Sequence, residues 1–155
     1  MRSMCIPDVY KRQEVKKMTV IVPCFNEEEA LPIYYKEMCK VMNRMKEVEL
    51  ELLFVDDGSS DHTLSVMKDL HMLDARCSYL SFSRNFGKEA AIYAGLKHAV
   101  GDYVAVMDVD LQDPPELLPE MYRILEEEGY DLSLIHISHT IITNVRNYAE
   151  KLKKS

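Results

Sequence analysis

Residues 18–29 read MTVIVPCFNEEE. Met18 to Cys24 is an apolar, β-branched run of the kind that makes a strand buried on both faces. Asn26 directly behind it offers a helix N-cap. Glu27, Glu28 and Glu29 then fall in a first helical turn, where the helix dipole favours anions. A helix is expected to run to about Lys46. The same phrase of strand, polar turn and helix recurs along the chain. Leu50 to Val55 (LELLFV) is a second strand, followed by the turn Asp57-Gly58-Ser59-Ser60-Asp61. Asp61 caps a helix to about Leu73. Ser78 to Phe82 is a third strand and Gly87 to Val100 a third helix. Asp102 to Asp108 (DYVAVMD) is a fourth strand. Pro114 and Pro115 set the start of a fourth helix, where a missing N–H costs nothing, and Gly129 ends it.

Four strands joined by helical crossovers imply an α/β fold, a Rossmann-like parallel sheet with flanking helices. Ligands bind such sheets at the carboxyl ends of the strands. The polar clusters fall there: Asn26-Glu27, Asp56-Asp57, Arg84-Asn85, and Asp108 with Asp110. No GxGxxG follows the first strand, which disfavours a dinucleotide-binding dehydrogenase.

Bulk properties bound the function. The 155 residues suffice for one domain with a real core. The net charge of −7 disfavours nucleic acid as a partner. No run approaches the roughly 18 apolar residues of a membrane span, and no signal peptide is recognisable. Cys5, Cys24, Cys39 and Cys77 lack metal-binding CxxC spacing and read as reduced thiols.

The two ends differ from the middle. Asp8 to Gln13 (DVYKRQ) can be coded GAT GTG TAT AAG AGA CAG. The reverse complement translates as LSLIHI, the peptide at Leu132 to Ile137. Such an inverted repeat resembles the translated ends of a transposon used to fragment DNA for sequencing. Residues 14–131 carry 12 basic and 24 acidic side chains, whereas the ends are net basic. Residues 1–13 are therefore expected to be a non-native leader and residues 132–155 a non-native tail.

Asp108 and Asp110 are the leading candidates for chemistry. Two residues apart in an extended segment, they point to one side and can face one cation. Mg²⁺ or Mn²⁺ suits such oxygen ligands and completes its shell with substrate phosphates. Gln112 stands next in that register, while Asp113 is placed to cap the following helix. A bare Asp-x-Asp occurs often by chance and on its own reads more readily as a solvated acidic turn; its position after an apolar strand and before a proline-started helix is what favours the metal. Asp56 or Asp57 could accept a nucleobase N–H, although DGSSD also reads as a plain turn and cap. Arg84 and Lys88, around Gly87, could neutralise phosphate or be solvated cations. His62, His71 and His98 read as surface or structural. Met38, Met42 and Met45 read as core, and Tyr34 and Tyr35 as packing residues.

VIVPCFNEEEAL, LLFVDDGSSDHT, SFSRNFGKEAAIYAGL and GDYVAVMDVDLQDPPELL, in this order and spacing, resemble glycosyltransferase family 2. The resemblance spans residues 18–131 and implies the GT-A fold, with residues 14–131 as its N-terminal, donor-binding part. SRNFGKEAA and DLQDPPE resemble the polyprenyl-phosphate glycosyltransferases, a subgroup that includes dolichol-phosphate mannose synthase and bactoprenol glucosyltransferases. By this resemblance Pro23, Phe25, Glu27, Asp56 and Asp57 surround the nucleotide, and Arg84 and Lys88 lie near the donor. Asp108, Asp110 and Gln112 hold the metal that bridges the diphosphate. The implied reaction is metal-dependent, inverting transfer of a sugar from a nucleotide-sugar donor to a polyprenyl phosphate. It implies a UDP-sugar rather than GDP-mannose, and the cytoplasmic face of a membrane for the full-length protein. Two alternatives stay open: a soluble family-2 transferase acting on a glycan or other non-lipid acceptor, and a non-catalytic nucleotide-binding module. Where the subgroup continues past Asp131 with basic acceptor residues, this chain carries the suspected tail. The chain alone is therefore expected to bind nucleotide weakly and to transfer sugar poorly.

Overall fold

The computed structural model describes residues 14–128, 132–134 and 141–144. In chain order the elements are β1 (Lys16–Cys24), α1 (Ala30–Arg44), β2 (Val48–Asp56), α2 (Thr63–Leu73) and β3 (Cys77–Ser81). They continue with α3 (Lys88–His98), β4 (Tyr103–Val106), α4 (Leu117–Glu128), β5 (Leu132–Leu134) and β6 (Ile141–Asn144). The described strands form one sheet in the order β3-β2-β1-β4-β6-β5. The first four are mutually parallel, as expected. The sheet then gains β6, antiparallel to β4, and β5, antiparallel to β6. Those two strands fall in the segment expected to be a foreign tail, and the sequence reading did not anticipate them. Residues 1–13, the expected leader, and Gly129, the expected helix stop, lie outside the described residues.

The centre of the sheet explains the rest. Every residue of β1 from Met18 to Cys24 is buried, because β1 has strand neighbours on both edges and helices on both faces. One face packs Val20, Val22, Leu52 and Phe54 against Tyr34, Met38, Met42, Met67 and Met121. The expected methionine stripe is thus core. The other face packs Ile21, Leu53, Val55 and Val104 against Ala91 of α3. Burying one such side chain contributes about 1.5–3 kcal/mol. Chain order runs outward from β1 to β3, then returns through α3 to β4 on the opposite flank of β1. The carboxyl ends of β1 and β4 therefore flank a topological switch point, where open α/β sheets form their ligand crevice.

Of the boundaries that differ from the sequence reading, three bear on the site. Asn26 does not cap α1: its φ is 53°, and its Oδ1 accepts a 2.8 Å hydrogen bond from the Ser60 N–H. The helix begins at Ala30 instead. β4 ends at Val106, two residues before Asp108. The prolines precede α4 rather than open it, since Pro114 and Pro115 carbonyls accept from the Leu117 and Leu118 N–H groups. Asp61 stands one residue ahead of His62, the N-cap of α2, and its Oδ1 accepts from the Thr63 N–H at 2.9 Å.

A carboxylate-lined candidate donor site

The loops after β1, β2, β3 and β4 enclose a cleft of about 330 Å³ at the switch point. Pro23, Phe25, Glu27, Asp57, Lys88, Asp108, Val109 and Asp110 line it. Seven of these were named from the sequence as candidate site residues. Val109, between the two acids, is the eighth lining residue. It is 3 % exposed and belongs to the core cluster, so it pins the turn between Asp108 and Asp110.

The loops are cross-braced. The Asn26 N–H donates to Ser59 Oγ at 2.9 Å, and the Glu27 N–H donates to Thr63 Oγ1 at 2.8 Å. Glu28 returns a bond by accepting the His62 N–H at 2.9 Å. The loop after β1 is thereby tied to the loop after β2 from both sides. The loop after β2 is tied in turn to the loop after β3. Asp57 is 3 % exposed, and its two oxygens accept the Phe86 N–H at 2.8 Å and the Gly87 N–H at 3.0 Å. Gly58, at φ 69°, passes so close to Arg84 that a Cβ would stand 2.2 Å from its carbonyl carbon.

Asp56 sits outside the cleft. It is 2 % exposed, and it accepts from the Ser59 N–H at 3.0 Å and the Ser81 hydroxyl at 2.9 Å. It shapes the turn from behind. Arg84 is exposed and stacks over the Phe86 ring at 4.5 Å instead of lining the cleft. Gln112 is likewise not a lining residue; its N–H donates to Asp110 Oδ1 at 3.1 Å. Residues 109 and 110 form a turn, so Asp108 and Asp110 converge through that turn and not through the pleat of a strand. Leu111 pays for it with φ 60°, a left-handed conformation unusual for leucine.

Negative charge accumulates here. Burial, then the charges of Asp110, Asp61 and Asp108, raise the Glu27 carboxyl above its ordinary value. Burial also pushes the Cys24 thiol up, reinforced by Glu27, Asp56 and Asp108. Lys88 offsets part of this charge, its Nζ lying 2.7 Å from the Asp108 carboxylate. Behind the cleft, Tyr34 is wholly buried, and its hydroxyl has no hydrogen-bond partner among the described residues. Among the described residues no three His, Cys, Asp or Glu side chains are already gathered as metal ligands. The donor set is nevertheless all oxygen and short of positive charge, which fits a hard divalent cation.

Residues 19–153 match the family described as Glycosyl transferase family 2. The chain belongs to this family. Its family-2 relatives include the bactoprenol glucosyl transferase of Shigella phage SfX, 49% identical over 120 residues, covering 76% of this chain and 38% of that protein. The prophage bactoprenol glucosyl transferase homolog of Escherichia coli (strain K12) is also 49% identical, over 105 residues, 68% of this chain and 34% of that one. The undecaprenyl-phosphate 4-deoxy-4-formamido-L-arabinose transferase of Proteus mirabilis is 37% identical over 121 residues, 77% of this chain and 36% of its own. This chain thus spans about a third of the length of the curated relatives it matches. Among solved structures, the mannosyltransferase PcManGT from Pyrobaculum calidifontis, in complex with GDP-Man and Mn²⁺, has a TM-score of 0.73 at 19% identity. That match covers 90% of this chain and 47% of that one and shows the shared fold.

Proposed function

We propose that residues 14–131 form the donor-binding part of a family-2 glycosyltransferase that moves a sugar from a nucleotide-sugar to a polyprenyl phosphate at the cytoplasmic face of a membrane. The observation that carries this is the cleft itself: Glu27, Asp57, Asp108 and Asp110 with Lys88, at the switch point of a parallel sheet. The bactoprenol and undecaprenyl-phosphate names of the relatives support the lipid phosphate acceptor. The glucosyl transferase names support glucose, and with it a UDP-sugar over GDP-mannose.

In this reading Asp108 and Asp110 would hold Mg²⁺ or Mn²⁺, which would supply charge neutralisation for a diphosphate. Phe25 and Pro23 wall the nucleotide, and Glu27 adds a carboxylate beside the metal ligands. Asp57 fixes the loop that presents Lys88, and Asp56 fixes the turn that presents Asp57. Arg84 and Gln112 stand outside this set. The acceptor is already ionised near neutral pH, so the residues act by positioning more than by proton removal. Attack from the face opposite the diphosphate gives inversion.

Calorimetry of UDP and GDP, each with and without Mn²⁺, tests the site. UDP binding is expected to require Mn²⁺, to exceed GDP binding, and to weaken at least about tenfold in Asp110→Ala, the scale of one lost charged contact. Equal affinity in wild type and Asp110→Ala sinks the metal assignment. The boundaries at residues 13 and 132 rest on the shared codon relationship of the two ends. A genomic reading frame that continues LSLIHI after Asp131 overturns them.

A further inference from the structure

We propose that Lys88 is the resident counter-cation of the cleft: it holds Asp108 while no divalent cation is bound, and passes to the donor diphosphate when the cation takes that carboxylate. This rests on the donor-site reading above and adds an exchange to it.

The geometry supplies three reasons. First, Lys88 Nζ lies 2.7 Å from the Asp108 carboxylate, and both residues line the same cleft. The ammonium thus stands against a carboxylate that a metal would use. Two cations cannot share one carboxylate without repelling each other, so lysine and metal compete. Second, the two partners differ in freedom. The Asp108 side chain is 22% exposed, whereas that of Lys88 is 55% exposed. Lys88 opens α3, which is fixed at its start by the Gly87 N–H bond to Asp57 and near its end by Gly95 packed on Ile21. Only the four-carbon stem has to move, and a lysine ammonium is a mobile point charge suited to that. Third, the lining holds four carboxylates against one cation. Metal alone would displace the lysine without bringing it an anion in exchange. Metal carrying a diphosphate brings the anion that receives it.

The consequence is selective. Lys88 weakens binding of free metal and strengthens binding of metal with nucleotide, so the cleft favours the complex over the bare ion. A lysine that merely decorates the surface would move neither affinity, and one that merely braces the loop would move both the same way.

The test measures Mn²⁺ binding alone, by electron paramagnetic resonance of the free ion, on the full chain and its Lys88→Gln and Lys88→Arg variants. UDP binding at saturating Mn²⁺ is then measured by calorimetry. Lys88→Gln is expected to bind Mn²⁺ about five- to tenfold tighter and UDP with Mn²⁺ about tenfold weaker, the range of a partly exposed charge pair. Lys88→Arg, which keeps the charge, is expected to bind Mn²⁺ like the wild type. Unchanged or weaker Mn²⁺ binding in Lys88→Gln overturns the exchange while leaving the metal site standing. Absence of Mn²⁺ binding in all three proteins, with and without UDP, overturns the donor-site reading and the exchange with it.

Discussion

Asp57 shows how one side chain serves both fold and site. Its carboxylate accepts the N–H groups of Phe86 and Gly87 while its edge faces the cleft. An asparagine has one oxygen where the aspartate has two, and its amide N–H₂ would confront a backbone N–H. Leaving such a buried donor unpaired costs about 1–3 kcal/mol. Asp57→Asn is therefore expected to lower the urea midpoint and, by loosening the segment that carries Lys88, to weaken UDP binding with Mn²⁺. A variant as stable as wild type would show that these two bonds carry no weight. The sequence placed Asp56 and Asp57 at a strand end correctly but could not separate their roles. Neighbours in the chain face opposite ways, and the partners of Asp57 lie 29 and 30 residues downstream. Local spacing holds no record of such contacts. Arg84 illustrates the converse: its charge and its loop were legible, but its stacking on Phe86 depends on a backbone path that only tertiary structure sets.

At the level of elements, the loops after β2 and β3 behave as one unit because Gly58 lets their backbones touch. At φ 69° it occupies a conformation that side chains resist, and a Cβ would lie 2.5 Å from the Asn85 nitrogen as well as against Arg84. The left-handed backbone alone costs an alanine about 1–3 kcal/mol, and relieving the overlap must part the two loops. Gly58→Ala is expected to lose at least that much stability in urea denaturation and to lose donor affinity as well. Wild-type stability in this variant would mean that the loops are not in contact in solution. Strands and helices as such were legible, since β1 and β2 are long apolar runs and α1 has its methionine stripe. Their ends were not. Asn26 resembles a helix cap in sequence, yet Ser59 and Ser60 on the neighbouring loop bind it more completely than its own helix could. Asp108 looks like the last residue of β4, yet the strand stops at Val106, where the chain must turn to bring Asp110 back over the cleft.

Across the whole molecule, parallel order and alternating helices made the switch point legible from sequence, and with it the end of the sheet where the acids gather. The two antiparallel strands were not legible, because at three and four residues they are too short to carry a recognisable alternation. Carboxylates in different settings pull the stability in opposite directions with pH. Hydrogen bonds from Arg76 hold the Asp74 carboxyl well below the usual carboxylate range. Burial alone would raise Asp61, but hydrogen bonds from Thr63 and Glu28 hold it low. Both groups stabilise the fold above their ordinary value of 3.8, and this stabilisation is lost as the pH falls through their lowered values. Glu27 acts in the opposite sense. Its carboxyl is raised by burial and by Asp110, Asp61 and Asp108, so its contribution is full below its ordinary value of 4.5 and is lost as the pH climbs through the raised value. Metal-free protein should therefore be most stable in mild acid and should decline toward neutrality. Glu27→Gln removes the group responsible, so its urea midpoint should decline less over the same range. Mn²⁺ with UDP should flatten the wild-type curve too, by neutralising the cluster and by binding only the folded state; at a hundred times the dissociation constant, binding adds about 2.7 kcal/mol. Urea titrations of both proteins from about pH 4 to pH 8, with and without Mn²⁺ and UDP, distinguish these effects. Parallel curves for wild type and Glu27→Gln would place the excess charge elsewhere, and with it the reason for a cation to enter this cleft.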